Sequence, residues 1–133
     1  MKNISNKIDH TNLKPTATIL DIEKLCKEAL EHHFVAVCVA PTYVSQVKHI
    51  VKEKVKVCTV IGFPFGNDET VTKIAAIKQA VSSGVDELDV VVNIGRVKSG
   101  DWDFVSNEID QLVTMTKHKY GKILKLIFET AYL

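Results

Sequence analysis

The chain has 133 residues, 46% of them apolar, with 17 Lys and Arg against 16 Asp and Glu for a net charge near +1. That is enough for one domain with a sizeable core, and so even a charge balance offers no footprint for nucleic acid or an acidic membrane surface. No apolar run approaches the roughly 20 residues that span a bilayer, and MKNISNKIDH lacks the apolar core of a signal peptide, so a cytoplasmic protein is expected. Cys26, Cys38 and Cys58 are odd in number and show no zinc-type pairing, which predicts reduced thiols and no metal site. Neither a repeat nor a linker divides residues 1–133, which read as a single domain.

In chain order, Ile8 to Thr11 is a short candidate strand. The first helix starts near Thr18, where Thr18 and Asp21 have the spacing of a capping box. Ile22, Leu25, Cys26, Ala29 and Leu30 then form one apolar stripe, and His32 and His33 close the helix where a cation suits the macrodipole. Phe34 to Ala40 reads as a strand. A helix after Pro41 carries Val44, Val47 and Val51, and Val55 to Phe63 is a further strand. GFPFGND, Gly62 to Asp68, then makes a turn, for which Gly66 supplies the freedom. A third helix opens after Asn67 with Val71, Ile74, Ile77 and Val81 on its apolar side and stops at Gly84. Glu87 to Ile94 is a strand, a helix from about Asp101 carries Val105, Ile109, Leu112 and Val113, and Ile123 to Phe128 is the last strand. Val- and Ile-rich strands alternating with helices imply a parallel sheet covered on its faces.

Asp89 breaks this pattern, because it sits among Leu88, Val90, Val91 and Val92 in a strand that reads as buried. A carboxylate there is costly unless it is paired or hydrogen-bonded. Two readings stand open: a proton-transfer group facing a site, or half of a buried ion pair with Lys125 on the neighbouring strand that holds the sheet in register. Strand alternation puts Lys125, Ile127 and Glu129 on one face, where Glu129 is either part of a site lining or a solvated strand end. Cys38, at the end of its strand, is either a reactive thiol or a small buried hydrophobe.

The blocks KIDHTNLKP, VAVCVAP, KVCTVIGFPFGND, GVDELDVVVNIG, KSGDWDFV and ILKLIFET stand in the order and spacing of the 2-deoxyribose-5-phosphate aldolases, class I aldolases on a (β/α)8 barrel, and the chain resembles that family over its whole length. The resemblance implies an α/β fold, an incomplete (β/α)8 barrel of strands one to five with Ile8 to Thr11 as strand one. It implies reversible cleavage of 2-deoxyribose 5-phosphate to acetaldehyde and glyceraldehyde 3-phosphate through a lysine imine, with no cofactor and no metal. On matching positions Asp89, Lys125 and Asp9 resemble the family's catalytic groups, and Phe63, Cys38 and Thr11 its substrate lining.

The sequence stops at Leu133, just after strand five. The family's imine-forming lysine on strand six, its companion lysine on strand seven and the phosphate-binding loops after strands seven and eight have no counterpart in these 133 residues. The expectation is a truncated aldolase, inactive alone, whose open barrel edges are covered by self-association or by a chain supplying the missing strands. The alternative is a non-catalytic assembly or binding protein that keeps the scaffold. A further alternative is that Lys125 itself forms the imine, which would require its pKa to be low.

Overall fold

The expected alternation is realised in the computed structural model, which describes residues 4–133. Strands β1 (Asp9–Asn12), β2 (Ala36–Val39), β3 (Lys56–Ile61), β4 (Glu87–Val91) and β5 (Ile123–Ile127) form one parallel sheet in the order β1-β2-β3-β4-β5. Between them run α1 (Ile19–Glu31), α2 (Val44–Val51), α3 (Thr70–Ser82), α4 (Ile94–Lys98) and α5 (Trp102–Val113). This is a partial (β/α) barrel. Among the described residues β1 and β5 are each paired on one side only. No helix among them is long and apolar enough to cross a membrane.

Local chemistry fixes the helix ends. Thr18 accepts a hydrogen bond from the Asp21 amide while the Asp21 carboxylate accepts from the Thr18 amide, the capping box read from the sequence. Asp101 caps α5 by accepting from the Phe104 amide. At the other end of α1 His32 is the C-cap, and His33 takes a left-handed conformation that lets the chain leave the helix.

The main core lies between the outer face of the sheet and the helices. Ile22, Leu25, Cys26 and Ala29 of α1 and Val44, Val47 and Val51 of α2 pack with Val37, Val39, Val57, Ile61, Leu88 and Val90. Each fully buried Val, Leu or Ile side chain among these contributes roughly 1.5–3 kcal/mol. A smaller cluster occupies the concave inner face: Ala36, Cys38, Cys58 and Val60, with Leu13 and Ile127 against it.

Two details depart from the periodicity. Val71, expected in the α3 stripe, is exposed, and Lys73 is fully buried in its place beside Ile77 and Ala80. The helix is rotated because Lys73 reaches a partner, Glu108, that hydropathy reads as surface. Strand β4 ends at Val91, and Ile94 begins α4, because Asn93 accepts a hydrogen bond from the Arg96 amide and caps a new helix.

Candidate active site on the concave face

Residue alternation sends every second side chain of the sheet inward. On β4 these are Glu87 and Asp89, on β5 Lys125, and on the edge strand β1 Asp9. Asp89 and Lys125 are direct register partners. The Lys125 ammonium gathers three carboxylates: Asp9 at 2.5 Å, Glu87 at 3.1 Å and Asp89 at 3.1 Å. Its contact with Asp9 spans the concave side from one edge strand to the other, so the sheet is curled far enough to bring β5 and β1 within one lysine's reach. Lys56 donates to Glu87 at 2.8 Å from the other side.

Three acids share one ammonium here. Burial alone would lower the Lys125 pKa, but the carboxylates of Asp9 and Asp89 outweigh it and hold the group well above the ordinary lysine value. Burial likewise opposes ionisation of Glu87, and the hydrogen bonds from Lys56 and Lys125 overcome it, keeping that carboxyl below its usual range. The Asp89 Oδ1 atom is different. It touches the ammonium at 3.1 Å as an ion pair, yet it is buried and no donor is aligned with it as a hydrogen bond. That leaves Oδ1 an acceptor with no aligned donor, on a side chain that keeps 19% of its surface exposed.

The other expected residues are distributed around this cluster. Cys38 is buried on the inner face, directly opposite Cys58. Thr11 is exposed, and its hydroxyl donates back to the Asp9 carbonyl, outside the ion cluster. Phe63 is 43% exposed at the C-terminal end of β3, at the rim rather than in the cluster. Glu129 lies beyond the end of β5 in a left-handed conformation, so strand alternation does not place it beside Lys125.

The GFPFGND turn docks on the same rim. Gly66 has φ +66°, and a Cβ there would lie 1.9 Å from the Val92 carbonyl oxygen, so both the turn and the approach to the end of β4 require glycine. Sequence reasoning missed Glu87 as a partner of Lys125. The signal was present, since Glu87 stands two residues before Asp89 and therefore faces the same side.

A family model described as DeoC/LacD family aldolase matches residues 4–132. The chain belongs to that family. Within the DeoC/LacD aldolases it is 47% identical over 132 residues to the deoxyribose-phosphate aldolase of Thermoanaerobacter sp. strain X514, covering 98% of this chain and 59% of that protein. It is 48% identical over 133 residues to the deoxyribose-phosphate aldolase of Thermococcus gammatolerans, again covering 98% and 59%. Among solved structures, the tetrameric deoxyribose phosphate aldolase of Aeropyrum pernix superposes with a TM-score of 0.87 at 30% identity, covering 98% of this chain and 54% of that one. The chain thus spans about 59% of the length of the curated relatives named here.

Proposed function

We propose that this chain carries the proton-relay half of a deoxyribose-phosphate aldolase site, with Asp89, Lys125 and Asp9 as its catalytic groups and Phe63, Cys38 and Thr11 lining the way to them. The observation that carries this reading is the unaligned Asp89 Oδ1 beside an ammonium shared by three acids. In the reaction an amine forms an imine at C1 of 2-deoxyribose 5-phosphate. The C3 hydroxyl then loses its proton, the C2–C3 bond breaks toward the protonated imine, and glyceraldehyde 3-phosphate leaves. C2 is reprotonated and hydrolysis of the imine releases acetaldehyde. Asp89 accepts and returns the moving proton, directly or through a water, and Lys125, with Lys56, keeps the neighbouring Glu87 ionised. Imine chemistry of this kind uses an amine and acid–base groups, with no cofactor.

Lys125 is not the attacking amine. Only an uncharged amine adds to a carbonyl, and the surrounding carboxylates keep this one protonated. The family resemblance assigns the amine to a lysine on strand six, which has no counterpart in these 133 residues. The 133-residue chain, incubated with 2-deoxyribose 5-phosphate, is expected to release no acetaldehyde above background and to give no borohydride-trapped adduct. Joined to the C-terminal portion of the Thermoanaerobacter relative, it is expected to do both. Turnover by the 133 residues alone, lost in Lys125→Ala, would overturn this assignment.

One observation favours the competing reading of a scaffold: Lys125 ties β5 to β1 and so holds the curl. The two readings part on Asp89→Asn, which changes folding in one and rate in the other. We also propose that the 133-residue chain self-associates through the open edges of β1 and β5, where unmet backbone groups in an apolar setting cost on the order of 1–3 kcal/mol each. Sedimentation at micromolar concentration is expected to show a species larger than one chain; a compact monomer with both edges protected from amide exchange would refute it. Free thiols at Cys26, Cys38 and Cys58 suit a reducing, cytosolic location.

A further inference from the structure

Two thiols on the concave face take no part in the proposed relay. Cys38 and Cys58 are register partners on β2 and β3, and Asp89 enters from β4 beside them. Both Sγ atoms and a carboxylate oxygen of Asp89 lie within 4.8 Å of one another. We propose that Cys38, Cys58 and Asp89 form a binding site for a thiophilic divalent ion, Zn²⁺ or Cd²⁺, on the concave face.

The donor set supports this in kind and in geometry. Two thiolates and a carboxylate suit soft or borderline ions and disfavour Mg²⁺ or Ca²⁺, which take oxygen ligands in greater number. A tetrahedral ion with metal–sulfur bonds of about 2.3 Å holds its two sulfurs about 3.8 Å apart, so sulfurs no more than 4.8 Å apart need to close by at most about 1 Å through side-chain rotation. Three protein ligands leave a fourth position for water.

The surroundings fit as well. Asp89 Oδ1 has no aligned hydrogen-bond donor to lose. Binding breaks two S–H bonds, sends two protons to solvent and forms two metal–sulfur bonds, with no change of oxidation state. Two protons leave as one divalent cation enters, so the net charge of the concave-face cluster, with the Lys125 ammonium 3.1 Å from Asp89, is unchanged by binding. An ion held there also removes the Asp89 carboxylate from substrate; that consequence rests on the role proposed for Asp89, whereas the site itself does not.

Cys26 supplies the control. It is buried on α1 in the outer core, away from both thiols; burial raises its pKa as the Cys38 contact and burial raise that of Cys58, so position and not acidity separates it from the site. Cd²⁺ titrated into the chain is expected to give a saturable ultraviolet sulfur-to-cadmium band at one ion per chain, with release of two protons. Cys38→Ser and Cys58→Ser each abolish that stoichiometry, Cys26→Ser preserves it, Asp89→Asn weakens binding at least about tenfold, and excess Mg²⁺ does not compete. No saturable band, a band unchanged by Cys58→Ser, or one lost equally in Cys26→Ser would overturn the site. The last of these would mark capture by thiols of an unfolded chain, which far-ultraviolet circular dichroism on the same samples reads independently. Because the readout is binding, a failure here leaves the aldolase reading standing, and a failed aldolase assay leaves this one standing.

Discussion

Lys73 and Lys125 are both held by acidic side chains, and they sit in opposite circumstances. Lys73, on α3 behind the sheet, is fully buried and spends its protons on both oxygens of buried Glu108 and on the Val91 carbonyl, while Thr70 donates to the same Glu108. That pair is one cation against one anion with its ammonium fully engaged. Lys125 is 35% exposed, faces three carboxylates, and leaves Asp89 Oδ1 without an aligned donor. A satisfied buried pair can only hold parts together. An outnumbered ammonium with a spare acceptor beside it is the arrangement that the proposed proton relay requires. That difference supports the proposed relay without reference to any relative.

The largest expected effect lies on the structural side. Lys73→Met leaves Glu108 buried and unpaired, and is expected to cost about 3–5 kcal/mol of stability in urea unfolding. Lys73→Met with Glu108→Leu removes the stranded charge, and should return to near the parent value or exceed it. If the double variant were as unstable as the single, packing rather than charge would dominate there, and the contrast would weaken.

Lys125→Met is expected to be milder, about 1–2 kcal/mol, because solvent screens the half-exposed cluster and Lys56 still serves Glu87. The comparison sharpens with pH. Lys125, with its pKa raised above the ordinary 10.5, contributes stability that is complete below that value and is lost as pH climbs through the raised pKa. Glu87, with its pKa lowered below the ordinary 4.5, contributes stability that is present above 4.5 and lost as pH falls through the lowered pKa. Lys125→Met should therefore reduce the alkaline loss, to which Lys48 with its own raised pKa also contributes, and shrink the acid one, read from urea midpoints across pH. An unchanged alkaline limb would mean that the ammonium is not held as described.

Much of this was legible before any coordinates. The change of period from strand to helix located β2 to β5, the family resemblance made Ile8 to Thr11 the first strand, and Asp89 was read as a possible partner of Lys125 one strand away, where the register places it. The contact between Lys125 and Asp9 was not legible as a contact. It depends on how strongly the sheet curls, which a period of two does not encode. Lys73 and Glu108 were missed because hydropathy assigns charges to the surface one at a time, whereas burial here is favourable only for the two together. Ile94 was read as strand for a similar reason: its apolar side chain fits either state, and the deciding group is the Asn93 cap before it.

The central claim is that the concave-face cluster is a proton relay and the buried pair is not. It is tested most directly by placing Asp89→Asn in the chain joined to the C-terminal portion of the Thermoanaerobacter relative, and measuring acetaldehyde release together with the unfolding midpoint. The account predicts a loss of about 10²–10⁴ in rate with little change in the midpoint. An undiminished rate, or a loss that only tracks unfolding, would contradict it.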